Sequence, residues 1–230
     1  MAKRSKRYRG ISRKVDRAEE HDIVTGVEKV MGLANAKFNE TIELAMCLNI
    51  NTKDSSEQLR GSFSLPHGVG KSKSVVVFCA EDKVQEALDA GAVKAGLDDL
   101  AKEINDGWMD FDVAVATPDA RRVVGKLGRV LGPRGLMPNP KSGTVGEDVE
   151  KMVKEFSAGK VEYRNDKTGN LHIVVGSSDI DKEKVADNVR AFMQHVLDKR
   201  PASVKGRFIK SAFLSPTMGP SVRLKPMSIN

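Results

Sequence analysis

Ser74–Ala80 reads SVVVFCA, and after the serine every side chain is apolar, leaving no position for a wet face. Such a run predicts a strand covered on both sides, the kind found in sheets with helices on each face. Upstream, Thr41–Ile50 reads TIELAMCLNI and follows another rule. Ile42, Leu44, Met46, Leu48 and Ile50 alternate with Thr41, Glu43, Ala45, Cys47 and Asn49. That period of two predicts a strand with one buried and one wet face.

Outward from the apolar run, strand and helix alternate. EDKVQEALDAGAV and DDLAKEIND read as helical, and FDVAVAT as a second buried strand. PDARRVVGKLGRVL reads as a helix with Pro118 near its first turn, and EDVEKMVKEFS as one more. This order predicts a small α/β unit with parallel strands.

Both flanks keep the one-sided style. Ile23, Val27, Val30, Met31 and Ala34 fall at helical spacing, and LRGSFSL reads as a strand. KVEYRNDKTGNLHIVVG reads as a hairpin turning at Asn165–Gly169. DKEKVADNVRAFMQHVLDKRP is an amphipathic helix with Val185, Val189, Phe192, Met193 and Val196 on one face. GRFIKSAFLS and PSVRLKP are strand-like arms around the turn PTMG. Each flank has roughly 70 residues, a length at which a lone core is marginal. The expected fold is an α+β domain of antiparallel strands and helices built from both chain ends, residues 1–68 and 160–230. An α/β domain, residues 69–159, is inserted within it.

Of 230 residues, 40% are hydrophobic and 30% charged, enough for real cores and short of the composition of a disordered chain. No apolar run approaches the ~20 residues that span a bilayer, and no apolar stretch follows the basic N-terminus as in a secretory signal. No membrane partner is expected. Cys47 and Cys79 lack metal-ligand spacing and sit in apolar runs, as buried thiols of a reduced, cytoplasmic protein would.

The net charge of +7 is unevenly spread. Residues 1–17 carry eight basic and one acidic residue, residues 121–141 six basic and none acidic, and residues 199–230 seven basic and none acidic. Residues 18–120 carry nine basic against nineteen acidic. Three basic blocks on an acidic background are a footprint for a polyanion.

The middle block lies in GKLGRVLGPRGLMPNPKSGTVG, Gly125–Gly146, which raises the question of a phosphate cradle. GLMPNPKS has the length and the Lys-Ser end of a Walker loop, but Pro140 stands where the second glycine belongs. Proline removes an N–H and fixes φ, so it cannot help wrap a phosphate. LPHGVGKS has Leu65 in place of the first glycine. The stretch is a stiff basic loop. His21, His67, His172 and His195 are dispersed with no metal spacing, no nucleophile elbow is present, and no acid pair is singled out. No catalytic site, metal site or cofactor is expected. His172, on a strand beside basic residues, suits a polyanion contact or simple packing.

Aromatic residues make up 5%, too few for a run of stacking platforms along an extended single strand. Folded RNA read by shape remains, because its minor groove displays 2′-hydroxyls to small polar side chains and turns. The turn SPTMGPS offers Ser215, Thr217 and Ser221, with Gly219 for close approach and Met218 as an apolar contact.

KRYRG, KFNETIEL, GKLGRVLGPRGLMPNPKSGTV, EYRNDKTGNLHIVVG and SPTMGPSVR occur in that order. Together they resemble, essentially end to end, the family of the first protein of the large ribosomal subunit, the mobile-stalk protein beside the tRNA exit site, in its bacterial form. The resemblance implies a first domain from both chain ends and an inserted Rossmann-like domain. It implies binding to large-subunit rRNA in the stalk helices, help in releasing deacylated tRNA from the exit site, and repression of translation through the protein's own mRNA. The family's RNA-contacting positions fall on Lys37, Phe38, Thr41, Ser211, Thr217, Met218 and Gly219. Asn39 stands where the family often has Asp. Arg129, Arg134 and Lys141 would touch RNA or serve to position the inserted domain, and Lys6, Arg7 and Arg9 would add phosphate contacts. A nucleotide-dependent enzyme built on the α/β unit, and a repressor acting only on mRNA, are the rival readings.

Overall fold

The computed structural model describes residues 4–70 and 72–226. The first segment contains α1 (Lys6–Ser12), β1 (Glu20–His21), α2 (Ile23–Leu33), β2 (Thr41–Leu48) and β3 (Arg60–Ser64). The middle contains β4 (Val75–Phe78), α3 (Val84–Asp89), β5 (Lys94–Gly96), α4 (Asp98–Asn105) and β6 (Val113–Ala116), then α5 (Arg121–Lys126), α6 (Gly128–Leu131) and α7 (Val149–Ser157). The chain returns through β7 (Lys160–Arg164), β8 (Asn170–Ser177), α8 (Lys182–Asp198), β9 (Ile209–Pro216) and β10 (Val222–Leu224). The protein is thus α+β with two compact units, one from the chain up to Gly70 and from Val161 onward, the other Lys71–Lys160.

In the outer unit β2 lies inside a five-stranded sheet ordered β1-β10-β9-β2-β8. Its neighbours β9 and β8 are both antiparallel to it. The alternation seen in the sequence decides its faces. Ile42, Leu44, Met46 and Leu48 are at most 1% exposed and share a core with Val27 and Val30 of α2 and Val185, Val189, Phe192 and Met193 of α8. Each such side chain contributes about 1.5–3 kcal/mol by leaving water. Odd-numbered residues of β2 lie on the opposite, open face.

In the middle unit β4 pairs in parallel with β5 on one side and β6 on the other. Here the unbroken apolar run is explained. Val75 and Val77 pack with Ala87, Val149, Val153 and Phe156 of α3 and α7, while Val76 and Phe78 pack with Leu100, Ile104 and Val124 of α4 and α5. Both faces of the strand are covered by helices.

The structure differs from the expected elements in four places. The segment Lys160–Gly176 is not a hairpin: β7 pairs with β3 in a separate two-stranded sheet, and β8 pairs with β2. Asn165 causes the divergence. Its Oδ1 accepts from Leu59 N at 2.8 Å and its own N–H donates to Leu59 O at 3.0 Å. Tyr163 and Phe63 then stack edge-on against Phe192 of α8, at 5.4 and 5.7 Å. Lys94–Gly96, which has no apolar run, forms β5 because β4 supplies its hydrogen bonds. The helix foreseen over Pro118–Leu131 breaks at Leu127 into α5 and α6. The basic N-terminal block contains α1, capped by Ser5 Oγ accepting from Tyr8 N.

Under the small sheet, Tyr163 Oη and His195 Nε2 are 2.9 Å apart. Burial, then Lys199, pushes the His195 pKa below its ordinary 6.5, against a weaker opposing pull from Asp198. Between that lowered value and 6.5 the unfolded chain binds a proton that the folded chain refuses, so stability falls as pH drops below about 6.5. His195→Phe is expected to flatten this part of a plot of melting temperature against pH. An unchanged slope would assign the titration elsewhere.

Candidate nucleic-acid interface

Antiparallel pairing of β2 with β9 puts the loop before β2 and the turn after β9 at one end of the sheet, with Ile42 opposite Pro216. Thr217 closes the junction. Its N–H donates to Thr41 O at 3.0 Å, and its Oγ1 accepts from Thr41 N at 3.0 Å and donates to the same carbonyl at 3.2 Å. The hydroxyl proton is therefore committed to the protein. One lone pair remains for a donor such as a 2′-hydroxyl.

Glu40 is 1% exposed and ties the two segments together. One carboxylate oxygen accepts from Ala36 N and the other from Met218 N, both at 2.8 Å. Its backbone N–H donates to Ser178 Oγ at 3.0 Å. A buried carboxylate is costly unless it is satisfied in this way. On the outer side Lys37, Phe38 and Asn39 remain exposed, as do Thr217 and Met218. Phe38 is 54% and Met218 49% exposed, large apolar side chains that a free protein gains nothing by showing to water. Gly219 allows the turn to close: a Cβ there would lie 2.5 Å from Pro216 Cγ.

From α1, Arg7 Nη1 donates to Asn35 Oδ1, and Nη2 donates to Met218 O at 2.8 Å. Arg7 thus puts two of its five N–H donors on the protein, whereas Lys6 and Arg9 are exposed. Along the open face, Ser211 sits opposite Cys47 and His172 opposite Ala45. Ser211 is five residues down β9 from Pro216, about 16 Å at strand rise. The loop and turn residues therefore form one cluster, and Ser211 and His172 extend it along the sheet.

The description of the ribosomal protein L1p/L10e family matches residues 29–220. The chain belongs to that family. It is 48% identical to the large ribosomal subunit protein uL1 of Thermosipho melanesiensis over 230 residues, covering 100% of this chain and 99% of the relative. The uL1 proteins of Kosmotoga olearia and Lactiplantibacillus plantarum are 49% and 48% identical, each over 224 residues. Those alignments cover 97% of this chain in both cases, and 97% and 98% of the relatives. As a ribosomal L1 protein it is structural and non-enzymatic.

For an L1-family chain, the middle unit has two surfaces of note. Its basic loop is braced around Asn139: Thr144 Oγ1 accepts from Asn139 N at 2.8 Å, Ser142 Oγ donates to Asn139 O at 3.1 Å, and Asn139 Oδ1 accepts from Lys141 N at 2.8 Å. Arg129, Arg134 and Lys141 are exposed on it. The other is a crevice beside the carboxyl ends of β4 and β5. Glu81, Asp82, Asp98, Asp99 and Glu103 line it. Its one lysine, Lys94, is paired with Glu103 and lies 4.2 Å from the Trp108 ring centre. Carboxylates occupy the helix starts that border it, so this crevice is unfavourable to a phosphate. Among the described residues, no cluster of side chains could hold a metal ion, and no helix is long and apolar enough to cross a membrane.

Sequence reasoning missed Glu40 and the internal role of Arg7. Glu40 had a signal: the alternation of β2, carried one step back from Ile42, puts a carboxylate in the buried phase. Arg7 had none, because its partners lie 28 and 211 residues away.

Proposed function

We propose that this chain is a structural constituent of the large ribosomal subunit whose outer unit, the chain up to Gly70 and from Val161 onward, grips folded large-subunit rRNA of the stalk helices. The observation that carries this reading is the pairing of Phe38 and Met218, both about half exposed, on two segments fixed to each other by Glu40. Unstacked bases meet the apolar side chains. Ribose hydroxyls meet the free lone pair of Thr217 and the backbone at Gly219. Lys37, Lys6 and Arg9 neutralise phosphates. Thr41, Ser211 and His172 continue the footprint along the open sheet.

The middle unit is read as a Rossmann-like insertion, supported by its parallel strand order and two helical layers. Arg129, Arg134 and Lys141 give it a basic edge for RNA, while the acidic crevice beside β5 disfavours a nucleotide there. In the cytoplasmic ribosome the protein would assist release of deacylated tRNA from the exit site. A fold of its own mRNA that copies the rRNA site would occupy the same surface and repress translation.

Salt dependence tests the reading. Affinity for a transcript of the stalk helices is expected to fall linearly on a log–log plot against salt, and Lys37→Ala to reduce the slope by about one. Affinity indifferent to salt would remove the phosphate contacts from the account.

A further inference from the structure

The Met218 peptide is held from both sides by opposite charges. Glu40 takes its N–H at 2.8 Å, and Arg7 donates to its C=O at 2.8 Å. Each side chain has a second bond, and both second bonds end on one short stretch, Glu40 on Ala36 N and Arg7 on Asn35 Oδ1. The carboxylate works from within the fold, 1% exposed, and the guanidinium from α1, whose Ile11 is 6% exposed in the core. Two independent side chains therefore bridge the same pair of segments, which are about 180 residues apart in the chain.

We infer that Arg7 and Glu40 are positioning residues which lock the Met218 peptide to the Asn35–Ala36 stretch, so that Met218 and Phe38 are presented to RNA in a fixed arrangement. The inference rests on the RNA-binding reading of this surface. The physical ground is pre-organisation. A turn that is already ordered surrenders less conformational entropy when its exposed side chain is captured. Charge-assisted bonds hold it more tightly than neutral ones. This also gives a basic residue of the N-terminal block a role inside the protein: its charge acts on RNA through the turn. Gln at position 40 would keep the shape but set an NH2 group against one of two backbone N–H donors. Met at position 7 would keep the stem and remove both bonds.

The test is a double-mutant cycle in the full chain, read as affinity for a stalk-helix transcript and as amide exchange at Met218. Glu40→Gln and Arg7→Met are each expected to weaken binding about tenfold and to speed Met218 exchange by a similar factor. In a Met218→Ala background each is expected to cost no more than about twofold, because the group they position is gone. Glu86→Ala, on α3 of the other unit, is the unaffected control. Should Glu40→Gln fail to fold, Arg7→Met carries the cycle alone, since Arg7 lies at the surface. Normal binding by both variants, or an undiminished loss in the Met218→Ala background, overturns the clamp while leaving the RNA reading intact. Absence of binding by the unaltered protein overturns both.

Discussion

A protein carrying Phe38→Ala and Met218→Ala together is expected to bind the stalk-helix transcript between about a hundredfold and a thousandfold more weakly, with its melting temperature nearly unchanged. An aromatic side chain that stacks on a base is worth about 1–3 kcal/mol by alanine substitution. Burying a methionine against the RNA adds roughly 1.5 kcal/mol or more. Because both side chains are half exposed in the free protein, their loss removes little from its core. That separation of affinity from stability is the signature of a binding surface. A titration of the double variant beside a thermal melt checks it, and a loss below tenfold would mean that the RNA is held elsewhere.

The second large effect concerns the fold. Asn188, fully buried on α8, donates to Gly68 O at 2.8 Å and Val175 O at 2.9 Å and accepts from His67 N at 3.1 Å. Three backbone groups of two segments are satisfied by one amide, just before the chain enters the middle unit. Asn188→Leu takes the partner from all three, Val175 O within the core and His67 N and Gly68 O at its edge, and is expected to cost about 3 kcal/mol of stability. For a chain of this size that is a drop of roughly 10 °C in melting temperature. Molecules that remain folded should still bind RNA within about twofold, since Asn188 reaches neither Phe38 nor Met218. A melting temperature within a few degrees of the parent's would show that water replaces the amide.

Where one physical pattern governed a segment, the sequence was readable. The period of two in Thr41–Ile50 announced β2 and its two faces, and the wholly apolar Val75–Phe78 announced a strand with helices on both sides. Elements whose existence depends on a distant partner were not readable. Lys94–Gly96 is a strand only because β4 lies beside it. Lys160–Arg164 leaves the hairpin because Asn165 finds Leu59, 106 residues away. The candidate interface divides in the same way. Motif resemblance brought Lys37, Phe38, Thr41, Thr217, Met218 and Gly219 to notice, and β2–β9 pairing gathers them at one end of the sheet. The charges that fix them, Arg7 and Glu40, act across separations of up to 211 residues.

Photochemical cross-linking of the full-length protein to a bound stalk-helix transcript, followed by mass spectrometry of the joined peptides, probes the interface most directly. Cross-links are predicted on the peptides that contain Phe38 and Met218, and their yield should collapse when both residues are alanine. Cross-links confined to Lys71–Lys160, with none on either peptide, would contradict the account.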